Sequence, residues 1–261
     1  MNMLKNGDIV SRKSYNNDIL FYIVEIKDEI NTAILKGVVI RIEADSPLDD
    51  LVRADDTRIN NLSDEVESII NQKVERRSRR YGKILHLDGD KNYSKKTEQY
   101  YRNRGLNFVV KHIPEQNQPG VITSILRDVK PDILVITGHD GMIKKGRNYN
   151  DINNYRNSKY FISTVKKARL YNNDKNEFII FAGACQSFYE ALIYAGANFA
   201  SSPARILIDF VDPLIVAENI SITDKNKIVF MSDLEHKIRH GRKSIGGIGA
   251  KGKCNNFVIY M

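Results

Sequence analysis

Two short apolar runs dominate the hydrophobic pattern of this chain: PDILVITGHDG at 131–141 and EFIIFAGACQS at 177–187. Each stays apolar until it meets a glycine, as a strand buried on both faces of a parallel sheet does. His139 and Cys185 are therefore expected at strand carboxyl ends, on one edge of one sheet. Open α/β folds place their sites on that edge.

The same alternation extends through the second two thirds of the chain. Strands are expected at KILHLD (83–88), NFVVKHI (107–113), DILVIT (132–137), FIIFAGA (178–184) and NFASS (198–202). Helical spacing falls between them, near 93–104, 119–129 and 158–171, and again from Cys185 onward. Apolar strands alternating with helices imply right-handed βαβ units and a mostly parallel sheet flanked by helices. Beyond it, 213–220 and 233–240 read as helices, KIVFM (227–231) as a strand, and FVIYM (257–261) as an edge strand. Residues 81–261 are thus expected to form one α/β domain.

The first third has a different rhythm. GDIVSRKS, ILFYIVEI and TAILKGVVIRIE are β-type runs separated by Asn and Asp turn signals, which predicts a small SH3-like β-barrel over residues 1–48. Residues 49–80 turn charged, with Leu62, Val66, Ile69, Ile70 and Val74 at three- and four-residue spacing. They predict a helical linker that ends in an arginine-rich stretch.

A thiol and an imidazole on neighbouring strand tips are the minimum pair for nucleophilic acyl transfer. The base takes the thiol proton and later returns it to a leaving amine. If a helix begins at Cys185, its free N–H groups and positive dipole end favour a thiolate and a developing oxyanion. Ala182, Gly183 and Ala184 would let a substrate backbone come close. Taken singly, Cys185 also reads as a buried small hydrophobe and His139, beside Asp140-Gly141, as a turn cap. Only the pair points to chemistry. A competing enzyme reading is a class I amidotransferase-like hydrolase, in which His236 or His240 of LEHKIRH would be the base.

Charge changes this picture little. Forty Lys and Arg against thirty-two Asp and Glu give a net charge of +8, densest at Lys73, Arg76, Arg77, Arg79 and Arg80. No zinc-ligand spacing, aromatic RNP run or helix-turn-helix accompanies that stretch, so nucleic acid is not the expected partner. A non-enzymatic basic binding module stays open as a third reading. Its support is the tail GRKSIGGIGAKGK (241–253), which lacks P-loop spacing and reads better as a mobile loop beside the site. Two cysteines are too few for a disulfide framework. The start MNMLKNGDIV lacks a secretory pattern and no run is long enough for a membrane span, so a soluble, cytoplasmic protein is expected, with no cofactor and no metal.

His139 precedes Cys185 by 46 positions, and Ala184-Cys185-Gln186 resembles the core of the caspase-like signature, where histidine lies about 50 residues upstream. GHDG (138–141), NSKYF (157–161) and FAGACQS (181–187), behind the GDIV-type barrel, resemble the YabG family of sporulation-specific proteases over essentially the whole chain. The resemblance implies a caspase-like cysteine endopeptidase of the sporulating cell. It would cut spore coat and cortex-lysis proteins beside basic residues, arginine above all. Cys185 would be the nucleophile, His139 the base, and the N–H groups of Cys185 and Gly141 the oxyanion donors. An arginine pocket needs a carboxylate, and Asp209, Asp212 and Asp140 are the candidates. The stretch from Arg76 to Arg80 would suit self-cleavage by such an enzyme. His86 and Asp88, ending the first α/β strand, could line the same edge.

Overall fold

A computed structural model describes residues 3–75, 80–143 and 148–255. The expected edge strand at 257–261 and three arginines of the basic cluster, Arg76, Arg77 and Arg79, lie outside these residues.

Five short strands build an antiparallel sheet from the first third: β1 (Ile9–Arg12), β2 (Phe21–Lys27), β3 (Thr32–Gly37), β4 (Glu43–Pro47) and β5 (Leu51–Arg53), in the order β4-β3-β2-β1-β5. Their alternating residues Val10, Phe21, Ile23, Ala33, Leu35 and Leu51 pack into one buried cluster. The run TAILKGVVIRIE, continuous in sequence, is split in space. β3 stops at Gly37, whose N–H donates to the Ile42 carbonyl (2.9 Å), and β4 begins only at Glu43. Residues 38–42 leave the sheet as a strap and hydrogen-bond to the larger half of the molecule. Phe210 N–H donates to Val39 O (3.0 Å), Arg41 N–H to Ile208 O (3.3 Å), and Glu43 N–H to Asp140 O (2.9 Å).

α1 (Asp56–Asn71), capped by the Asp55 side chain, leads into the α/β region. There the order is β6 (Ile84–Asp88), α2 (Lys91–Asn103), β7 (Phe108–His112), α3 (Gln118–Val129), β8 (Ile133–Thr137), α4 (Ser158–Tyr171), β9 (Ile179–Ala182), α5 (Tyr189–Ala195), β10 (Phe199–Ser201) and α6 (Asp212–Ile222). Four small elements follow: β11 (Ile228–Val229), α7 (Met231–Leu234), β12 (Ile245–Gly247) and β13 (Ala250–Lys251). The main sheet runs β12-β10-β9-β8-β6-β7, parallel except for β12, which lies antiparallel to β10. Successive residues of β8 serve opposite faces. Ile133 and Val135 join the layer of α1, α2 and α6, whereas Leu134 and Ile136 join that of α3, α4 and α5. Both faces are covered, which is why these strands read as unbroken apolar runs.

Three local expectations fail. No helix begins at Cys185: it sits in a turn with Gln186, and α5 starts four positions later at Tyr189. KIVFM contributes only the two residues of β11, and Met231 already opens α7, which continues as a 3-10 turn over Glu235–Lys237. The glycine-rich tail contributes two short strands, in which Gly246 pairs with Ala200 and Ala250 with Val229. Among the described residues, no helix is long and apolar enough to cross a membrane.

Candidate active site

β8 and β9 are paired neighbours with Ile136 opposite Ala182, and His139 and Cys185 each lie three residues past that rung. Equal overshoot brings the two side chains to one edge. Past β9 the chain turns sharply. Gly183 takes φ +112° and donates to Ile136 O (3.0 Å), the Ala184 N–H is closed by Ser187 Oγ (2.9 Å), and Gln186 sits at φ +53°. Cys185 rides on this turn, with its N–H donating to Arg41 O (3.2 Å) and the Gln186 N–H to Ile206 O (3.2 Å) and Ser202 Oγ (3.0 Å).

Both reactive groups are fully buried. Cys185 Sγ accepts from Ile208 N–H at 3.1 Å, packs within the apolar core of the antiparallel sheet, and has its thiol pKa pushed up by burial. His139 stacks on Tyr93 (centroids 5.0 Å) and meets the edge of Tyr22 (6.4 Å). Its Nε2 lies 3.4 Å from Gly37 O, so the proton belongs on Nε2 and the lone pair on Nδ1. Nδ1 has no hydrogen-bond partner. Burial, with Lys36 nearby, pushes the imidazole pKa down, so the ring is neutral. Neither side chain hydrogen-bonds to the other; Ile42 of the strap shares the apolar cluster of Cys185, and Gly37, at the end of β3, faces His139.

What the strap brings is Arg41, buried along its whole length. Its carbonyl oxygen receives two N–H groups, from Cys185 (3.2 Å) and from Asp140 (3.1 Å). The guanidinium pairs with Asp88 (2.7 Å), reaches Gly138 O (3.5 Å) and Phe210 O (3.3 Å), and lies over the rings of Tyr93 and Phe210. Burial alone would raise the Asp88 pKa; the Arg41 charge overcomes it and holds the carboxylate far below its usual range. Tyr93 fixes the strap from the side, its hydroxyl donating to Gly37 O (2.8 Å) and Ile40 O (3.2 Å).

Behind the two tips stands Asp140. Its carboxylate accepts from Ser158 Oγ (2.5 Å), Ser187 Oγ (2.9 Å), Asn157 N–H (2.8 Å) and Gly141 N–H (2.9 Å). One side chain thus ties the histidine loop, the start of α4 and the cysteine turn together. Burial pushes its pKa up to about 6 against those four donors. Asn157 Nδ2 also donates to His139 O (2.8 Å), which gives the NSKYF segment its role. Glu115 accepts the His139 N–H (2.8 Å), and a Cβ on Gly138 would lie 2.3 Å from that carboxylate.

Several candidates read from sequence stand elsewhere. The Gly141 N–H turns to Asp140, so the donor that joins Cys185 on a shared carbonyl is the Asp140 N–H. The carboxylate that pairs the Arg41 guanidinium is Asp88; Asp209 faces Arg239 (3.8 Å), and Asp212, the first residue of α6, accepts from Asp209 N–H (3.3 Å). His86 is a core residue, bonded to Tyr101 (3.0 Å) and Thr137 (2.7 Å). His236 and His240, the bases of the amidotransferase reading, are exposed in the segment after α7, while the Cys185 sulfur is engaged by Ile208. Arg41, Tyr93 and Glu115 were missed; the one signal was a lone arginine inside the β-branched run VVIRI.

A thiol, an imidazole with a bare nitrogen, and two N–H groups on one carbonyl lie past the carboxyl edge of a mostly parallel α/β sheet, the edge where open α/β folds place their sites. The chain belongs to the YabG peptidase U57 family, whose description matches residues 5–81 and 67–258. It is 36% identical, over 94% of its own length and 94% of the relative's, to the sporulation-specific protease YabG of Bacillus subtilis (strain 168). No solved structure matches. The protein is therefore a peptidase.

Proposed function

We propose that this peptidase is a cysteine endopeptidase that cuts on the carboxyl side of arginine. The reading rests above all on one observation, the two N–H groups of Cys185 and Asp140 on a single peptide carbonyl whose own side chain is an arginine held by Asp88. In a substrate at that position Cys185 attacks the carbonyl carbon, the two N–H groups take up the oxyanion, and His139 Nδ1 accepts the thiol proton and returns it to the leaving amine. Water then hydrolyses the thioester with His139 as base. Asp140 holds the geometry rather than contacting the substrate through its carboxylate. The arrangement favours a caspase-like reading of the main domain, with the antiparallel sheet as an SH3-like barrel.

The relative's description as sporulation-specific suits a protease of the sporulating cell, and spore coat and cortex-lysis proteins are the substrates we propose. Self-cleavage in the Arg76 to Arg80 stretch would follow from the same preference. A peptide-library digestion with wild type and Cys185→Ala tests the activity. Cuts should follow arginine and vanish in the variant; cuts that persist in it, or that ignore the preceding residue, would refute the proposal.

A further inference from the structure

The strap does more than fasten the antiparallel sheet to the α/β domain. Its backbone runs between Asp140 and residues 208–210, bridging Ile40 to Asp209 and Ile42 to Asp140. Arg41 presents its carbonyl to the two convergent N–H groups and its guanidinium to Asp88, the places that the peptide group and the side chain of a bound substrate would take. On the far side of Ile42 a cleft of about 530 Å³ opens between Met142, Gln186 and Arg205, with room for chain beyond the reacting bond.

Other features argue that this occupant is held rather than turned over. The Ile42 N–H bends back to Ile40 O (2.8 Å), so the backbone curls over Arg41 instead of running straight through the cleft. Both ends of the strap are clamped by one hairpin, in which Lys36 of β3 pairs with Glu43 of β4. The thiol is engaged by Ile208, and it lies in the same apolar cluster as Phe21 and Leu35 of the antiparallel sheet.

Resting on the reading of Cys185 as nucleophile, we propose that residues 38–42 are an internal pseudo-substrate: Arg41 fills the arginine pocket, Asp88 is the carboxylate that selects it, and the strap must withdraw before a protein substrate can enter. Asp88 sits in a buried site that tolerates its charge because a guanidinium is beside it. Withdrawal leaves that charge unpaired, and an arginyl substrate restores the pair where a neutral or shorter side chain does not. The antiparallel sheet is then an inhibitory element whose movement opens the enzyme.

Iodoacetamide alkylation followed by mass spectrometry tests this, with buried Cys254 as reference within the same chain. Arg41→Ala should speed alkylation of Cys185 at least tenfold while Cys254 keeps its wild-type rate, and Arg41→Lys should fall between. A wild-type rate at Cys185 in Arg41→Ala would overturn the proposal and reduce the pair to a docking contact. If Arg41→Ala unfolds, seen as Cys254 reacting as fast as Cys185, Asp88→Asn decides: selective acceleration at Cys185 supports the pseudo-substrate, unchanged rates refute it. Alkylation needs no turnover, so a Cys185→Ala chain that still cleaves peptides would sink the nucleophile assignment by a separate result.

Discussion

His139 has Nε2 directed at Gly37 O, which leaves Nδ1 bare, and Cys185 has its sulfur directed at Ile208. Their burial keeps both neutral, so the pair as it stands is poised rather than charged. Asp212 offers an independent check on how strongly this edge excludes water. Burial and the neighbouring Asp209 push its pKa up to about 7, with Arg41 and Arg239 pulling the other way. The folded chain therefore holds a proton that the unfolded carboxyl has lost. The stability so gained is present at low pH, declines as pH rises from about 4 to about 7, and levels off beyond, at up to about 1.4 kcal/mol per pH unit. Asp212→Asn has no such proton to lose. Thermal melts should show the variant gaining on wild type between pH 5 and 7 and running parallel above; a gap that stays constant over that span would show that Asp212 titrates normally.

At the level of elements, the turn after β9 positions Cys185, and its shape depends on Gly183. A side chain there would meet φ +112° and place a Cβ 3.0 Å from Leu192 Cδ1, so Gly183→Ala should cost about 2 kcal/mol in denaturant unfolding. A loss below about 0.5 kcal/mol would mean that the turn relaxes freely. The main sheet was legible in the sequence because strands buried on both faces leave unbroken apolar runs, and the helix expected near 158–171 is α4. The cysteine turn was misread as a helix start because a Gly-Ala-Cys stretch after a strand looks the same in either case; only the left-handed Gln186 separates them. The strap was invisible for a related reason. VVIRI has the composition of a strand, and its departure from the sheet is dictated by partners more than a hundred residues away, Ile208 and Phe210. Asp88 was noticed at its strand end, but its pairing with Arg41 joins two halves of the chain that no local pattern connects.

Across the whole molecule, an antiparallel sheet and a parallel α/β domain share one buried seam, and that seam contains the thiol, the imidazole and Arg41. On the proposed reading the amino-terminal third shields Cys185, and the strap, tethered at both ends by the hairpin of β3 and β4, can return after it withdraws. On the proposed mechanism Cys185 forms the covalent bond to an arginyl carbonyl with His139 as its base. A peptidyl-arginine acyloxymethyl ketone, incubated with wild type, Cys185→Ala and His139→Ala and followed by peptide mapping, tests it most directly. The adduct should map to Cys185 in wild type, be absent in Cys185→Ala and form at least a hundredfold more slowly in His139→Ala; an adduct on another residue, or undiminished labelling without His139, would contradict it.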